Sequence, residues 1–180
     1  SRRHGMEPHA TPEPPASPLP AVPANARMPA QSELQALSAA FARRDYVRME
    51  KLARTLTEKY PYAREGWKAL SQACYHLDRI DQALPPTQRM VELNPGDAQA
   101  HANLGLILWR LRHLDEAERC FLQALALDPE VSDTHTNLGN VYKDQERIGE
   151  AMNCYRRAIE LDPKQAVAHS NLGFLLMGQQ

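Results

Sequence analysis

The 180-residue chain has no apolar run near the roughly 18 residues that a membrane-crossing helix requires. It reads as a chain with no membrane partner. It also lacks an excess of either charge: 21 Lys and Arg stand against 22 Asp and Glu, a net charge of -1. Nucleic-acid binding draws on a basic face, and this balance offers none. Arg2 and Arg3 are not followed by an apolar stretch, so no secretory leader is read. Cysteine is scarce. Cys74, Cys120 and Cys154 form no CxxC pair and have no neighbouring Cys/His partners of zinc type, which excludes a metal site of that kind. Cys120 and Cys154 lie 34 positions apart in matching surroundings. Matching positions on stacked helices fall about 8–10 Å apart, beyond the reach of a disulfide. The three thiols therefore read as small buried or half-buried hydrophobes in a reducing, cytoplasmic setting. There is no glycine-rich phosphate loop and no Ser/His/Asp set with supporting context. The chain as given is expected to carry no cofactor and no enzymatic activity.

Against these absences stands one regularity. Pro61, Pro95, Pro129 and Pro163 are spaced 34 residues apart. Around the last two, most of the sequence repeats with them. "AHANLGLILWRLRHLDEAERCFLQALALDP" ends at Pro129 and "THTNLGNVYKDQERIGEAMNCYRRAIELDP" ends at Pro163. "AHSNLGFLL" opens a further copy, so the chain reads as a piece of something longer. A fixed period of this length means stacked supersecondary units rather than one globular core. Residues 1–29 are different. They hold eight of the fourteen prolines and no apolar periodicity, and read as a disordered, proline-rich linker. PxxP spacings occur there, as from Pro12 to Pro15, but no basic residue flanks them closely as an SH3-type ligand would require.

From residue 30 to 180 the spacing predicts helical hairpins. Leu104, Leu108, Leu111 and Leu114 follow one helical stripe, and Ala117, Phe121, Ala124 and Leu125 follow the next. The units fall at 30–63, 64–97, 98–131 and 132–165, with a lone first helix at 166–180. Asp97, Asp115 and Ser132 stand where helix N-caps are wanted. Pro85 and Pro86 fall within the second helix of unit 64–97. A proline in a helix interior removes a hydrogen bond and costs around 3 kcal/mol. A late or distorted helix start, and a less regular N-terminal half, are therefore expected.

The repeating residues resemble the tetratricopeptide repeat, whose 34-residue pattern is W-x2-L-G-x2-Y, then A-x3-F-x2-A, then P. Unit 132–165 offers Leu138, Gly139, Tyr142, Ala151, Tyr155, Ala158 and Pro163. Unit 98–131 offers Leu104, Gly105, Leu108, Ala117, Phe121, Ala124 and Pro129. Unit 64–97 keeps Trp67, Leu70, Ala83 and Pro95 but has Ser71 for the glycine and Thr87 for the aromatic, and unit 30–63 keeps little beyond Pro61. The resemblance implies an all-α, right-handed solenoid in which Gly105, Gly139 and Gly173 let the paired helices approach and Phe121 and Tyr155 fill the space against the next unit. His101, His135 and His169 occupy the register of Trp67 and read as packing between helices. They are too far apart along the chain to share a metal ion.

In this family the first helix of each unit lines a concave groove. Carried over by position, the groove would present Glu65, Lys68, Gln72, Tyr75 and His76, then Leu106, Trp109 and Arg110, then Asp133, Asn140, Lys143 and Asp144, then Phe174. Asn103, Asn137 and Asn171 recur in one groove-facing register, although asparagine is a mediocre helix former. An amide both donates and accepts, so such a row can hold the backbone of an extended peptide without reading its sequence. The row is similar to that in the repeat superhelix of O-linked N-acetylglucosamine transferases. A clamp for a C-terminal carboxylate, as in chaperone-binding members, is only partly matched by Lys68, Gln72 and Asn103, and Asp133 would repel the carboxylate. The expected function is a protein-interaction module that binds an extended peptide or protein partner. Two alternatives stand beside it. One is the substrate-docking arm of a glycosyltransferase-like enzyme with its catalytic domain beyond residue 180. The other is a scaffold that self-associates through helix 166–180, which would expose Leu172, Leu175 and Leu176.

Overall fold

The computed structural model describes residues 22–178, so the expectation for residues 1–21 of the proline-rich arm lies outside the described residues. Among the described residues the architecture is all-helical: α1 (Gln31–Ala42), α2 (Tyr46–Lys59), α3 (Arg64–His76), α4 (Ile80–Leu93), α5 (Ala98–Arg110), α6 (Leu114–Leu127), α7 (Ser132–Asp144), α8 (Ile148–Leu161) and α9 (Ala166–Met177). Each helix packs mainly on its neighbours in sequence, which is how a solenoid buries surface that no single hairpin could bury alone. One part of the core is gathered around Leu37, Ala53, Leu70 and Ala83, the other around Phe121, Val141, Tyr155 and Ala168. Leu84 packs against both.

Two backbone devices repeat with the sequence. Within each hairpin the chain reverses through one residue with left-handed φ: Arg44 (56°), Asp78 (55°), Arg112 (65°) and Glu146 (62°). The next amide then bonds a carbonyl five residues back, as Arg79 N does to Cys74 O (2.9 Å) and Arg147 N to Tyr142 O (2.8 Å), which satisfies the helix end. Between hairpins, the four spaced prolines share a second role. The carbonyl of Pro61 accepts from Trp67 Nε1 (3.0 Å). The carbonyls of Pro95, Pro129 and Pro163 meet Nε2 of His101, His135 and His169 at 2.8, 2.9 and 2.9 Å. A carbonyl only accepts, so each histidine carries its hydrogen on Nε2 here. The histidines therefore do more than pack: they pin the loop that turns one hairpin into the next, as the tryptophan does.

The paired helices are held together by side chains of matched size. Gly105 faces the ring of Phe121, and a Cβ on Gly105 would lie 3.0 Å from that ring. Gly139 faces Tyr155, where a Cβ would come within 2.6 Å. The aromatic thus sits over the glycine of its own hairpin, and Tyr155 also meets Asn171 of the next unit. In α3 and α4 both partners change together: Ser71 and Thr87 replace glycine and aromatic and share a buried hydrogen bond of 2.6 Å. In α1 and α2 the sizes invert, with buried Leu37 in the glycine register and Ala53 in the aromatic register.

Several sequence expectations are corrected. Helix α4 does not start late. It begins at Ile80, in register with Tyr46, Leu114 and Ile148, and carries Pro85 and Pro86 inside. The prolines remove the amides that would have bonded Asp81 and Gln82, two exposed residues whose carbonyls water can reach. Buried Ile80, Ala83, Thr87 and Met90 hold the helical register across them. The N-terminal half is as regular in helix length as the rest. Of the three caps, Asp97 alone acts as one, accepting from Gln99 N (3.0 Å) and Ala100 N (3.3 Å). Ser132 and Asp115 lie inside α7 and α6, because each helix starts earlier than the cap pattern suggests. Ser132 Oγ instead donates to Ala158 O (2.9 Å). In α9, Leu175 is buried, and Phe174 and Met177 are the strongly exposed residues.

The size match predicts opposite outcomes for one substitution at two glycines. Gly139→Ala should destabilise the chain by about 1–3 kcal/mol, because the fully buried Tyr155 ring has nowhere to move. Gly173 faces open space, so Gly173→Ala should be neutral or stabilise by up to about 1 kcal/mol through helix propensity. Urea melts of the two variants check both signs.

Candidate functional site

The first helices of the hairpins carry three adjoining recesses. One of about 370 Å³ lies between α1 and α3, lined by Leu34, Phe41, Met49, Glu65 and Lys68 among others. A second of about 190 Å³ joins α3 to α5 through Tyr75, His76 and Leu106. A third of about 310 Å³ spans α5, α7 and the start of α9, with Asn103, Asn137, Asp133 and Thr136 on its walls. Gln72 belongs to the first and second, and Asn103 and Leu106 to the second and third. The three therefore form one line across the stack.

The asparagine row is not uniform along this line. Asn103 is half-buried and its Oδ1 accepts from Gln99 Nε2 at 2.9 Å, leaving its amide hydrogens unspent. The side chain of Asn137, also half-buried, makes no hydrogen bond to another described residue. Asn171 turns inward and donates from Nδ2 to Asn140 Oδ1 at 2.8 Å. That same oxygen accepts from the hydroxyl of buried Tyr155, also at 2.8 Å.

Asn140 is thus not a groove contact of the kind its position suggests. It is buried and holds Tyr155 and Asn171 to each other. A signal for this was present in the sequence. Where the aromatic is Tyr155 the residue 15 earlier is Asn140, and where it is Phe121, with no hydroxyl to satisfy, the matching residue is Leu106.

The remaining groove residues divide by what engages them. Trp109 is fixed by Asp144, whose Oδ2 accepts from its Nε1 (2.8 Å) and from Arg112 (2.5 Å). Arg110 bonds Asp78 (2.9 Å) and lies 5.5 Å from the ring centre of Tyr75, a cation–π contact. Of these residues Tyr75 lines a recess, whereas Trp109 and Arg110 line none of the three. The Lys143 side chain makes no ion pair or hydrogen bond with another described residue. Phe174 is 68% exposed on α9 and lines none of the three recesses. Sequence reasoning missed the α1 wall, because Leu37 stands in the glycine register and hides the repeat pattern there.

Chemically the groove offers amides, hydroxyls and apolar wall. Burial pushes the Cys154 thiol up to about 11 and raises those of Cys74 and Cys120, so all three free cysteines stay protonated near neutrality. They are poor nucleophiles in that form. Among the described residues no group of three or more His, Cys, Asp or Glu side chains could hold a metal ion, and no helix is long and apolar enough to cross a membrane.

Comparison with known proteins agrees with this geometry. Residues 98–131 match the family model described as tetratricopeptide repeat, and residues 139–180 match a model described as TPR repeat. No curated protein matches the chain in sequence. Among solved structures, MamA superposes with a TM-score of 0.74 at 19% identity, covering 79% of this chain and 84% of that one. YrrB, described as a TPR protein with an unusual peptide-binding site, gives 0.73 at 24% identity, covering 78% and 72%. The first TPR of Spaghetti (RPAP3), bound to the HSP90 peptide SRMEEVD, gives 0.61 at 19% identity, covering 63% and 90%. The chain carries tetratricopeptide repeats and has the tetratricopeptide-repeat solenoid fold. Proteins of this kind are typically interaction modules rather than enzymes.

The contrast between two neighbouring asparagines is measurable. Asn140→Ala should cost about 1–3 kcal/mol, because it leaves the buried Tyr155 hydroxyl without an acceptor. Asn137→Ala, with no internal bond to lose, should stay within about 0.5 kcal/mol of the parent chain in urea melts.

Proposed function

We propose that the chain binds an extended peptide segment of a protein partner along the line of recesses, with Asn103 and Asn137 holding the segment's backbone. The observation that carries this reading is the pair of amides on one recess. Asn103 keeps its donors and Asn137 keeps both donor and acceptor, and each reaches the same space between α5 and α7. A peptide backbone presents the matching groups at every residue, so such contacts suit a range of sequences. Leu106, Trp109 and Tyr75 supply apolar and aromatic surface for side chains beside it, with Arg110 and Lys143 at the rim. Peptide binding by two of the similarly folded proteins is consistent with this use of the fold.

Asn171 takes a lesser part, since one of its amide hydrogens is given to Asn140. The row is therefore two rungs and a support, which weakens the reading as a docking arm of the glycosyltransferase type. Self-association through α9 is the second reading, and Phe174, Leu176 and Met177 on its exposed face favour it.

Peptides selected from a random phage library on the parent chain provide the test. Replacing Asn103 and Asn137 together by Ala should weaken the selected peptides about tenfold, the loss of one to two net hydrogen bonds. Affinity should survive Phe174→Ala. Peptides that bind both chains equally well, or that lose affinity with Phe174→Ala instead, would move the site out of this groove.

A further inference from the structure

The recess between α1 and α3 differs from the other two in one respect. Glu65 is one of its lining residues, and the Oε2 of that side chain is shielded from solvent and has no hydrogen-bond partner, the one such side-chain atom among the described residues. The same register position is satisfied elsewhere in the stack. Gln99 donates to Asn103, and Asp133 accepts from Gln165 at 2.5 Å. Residue 69, the counterpart of Asn103, is alanine, so Glu65 has lost the neighbour that Gln99 uses. Lys68, one turn further on, is exposed and forms no ion pair with it. A carboxylate oxygen out of water and without a donor is costly, and buried polar atoms are nearly always paired.

The recess that Glu65 lines is mostly apolar, with Leu34, Leu37, Phe41, Met49 and Ala69 beside Ser38, Lys68 and Gln72. A single carboxylate with no second acidic ligand does not hold a metal ion. A donor that is charged at its tip and aliphatic along its stem fits both features. We propose that this recess receives a basic side chain, lysine or arginine, of the bound segment, with its stem among Leu34, Leu37 and Met49 and its head on Glu65. The inference rests on the groove reading above and adds a side-chain preference at the α1 end of the line. Phe41, 44% exposed, offers its ring to the same cation.

The probes are N-acetyl-arginine amide and N-acetyl-norleucine amide, which share a stem and differ in the head. Each is titrated into the 15N-labelled chain and followed at the amides of residues 65–72. The arginine probe should shift these amides saturably. Glu65→Gln, which keeps the shape and removes the charge, should weaken that response about tenfold, as loss of a charge-assisted pair implies. The norleucine probe should bind about tenfold more weakly than arginine for the same reason. Equal response to both probes, or an unchanged arginine response in Glu65→Gln, would overturn the proposal. If selected peptides move the Asn137 amide while the arginine probe leaves residues 65–72 still, this pocket falls and the groove reading stands. If the probe moves residues 65–72 and no peptide moves Asn137, the pocket stands and the backbone contacts assigned to the asparagines fall.

Discussion

In every hairpin of this chain the side chain at one position of the first helix limits the size of its partner on the second. Gly105 admits Phe121, and Gly139 admits Tyr155 with a separation that no Cβ could share. Ser71 and Thr87 reach the same closure through a buried hydrogen bond, and Leu37 with Ala53 reverses the large and the small. Close packing leaves little tolerance at such a contact, so the two positions must change together. The spacing of the hairpins, and with it the line of recesses on the first helices, depends on this match.

Polar groups follow from the same choice. A tyrosine over Gly139 brings a hydroxyl into the core, and Asn140 accepts from it and also from Asn171. Phe121 brings none, so Leu106 stands free to line the groove. One asparagine is thereby committed to the fold while Asn137, three residues before it on the same helix, makes no side-chain hydrogen bond to another described residue. Glu65 is a third case, an acid whose register partner has become alanine and whose Oε2 is left shielded and without a hydrogen bond. Interior and groove are in this sense one sequence pattern read on two faces of a helix.

The repeat period and the hairpins were legible because prolines, glycines and aromatics recur at a fixed interval. The roles of Pro85 and Pro86 were not. Propensity disfavours them inside a helix, yet four buried residues of α4 fix its register and the freed carbonyls face water. Spacing alone also could not separate Asn140 from Asn137, since both stand on the first helix of the hairpin. Only the partner's chemistry, a hydroxyl on Tyr155, separates them. The histidines were read by size, as substitutes for Trp67, and their shared bond to the proline carbonyl is what that register has in common. Leu37 escaped notice because a large residue in the glycine register breaks the pattern that reveals the others.

A double-mutant cycle at residues 71 and 87 tests the size match most directly. Thr87→Phe alone should overpack α4 against Ser71, and Ser71→Gly alone should lose the buried hydrogen bond. Together they recreate the Gly105 and Phe121 pair, so their combined cost should fall below the sum of the single costs by at least about 1 kcal/mol, the coupling expected of residues in contact. Costs that add to within about 0.5 kcal/mol, as for independent sites, would contradict the account.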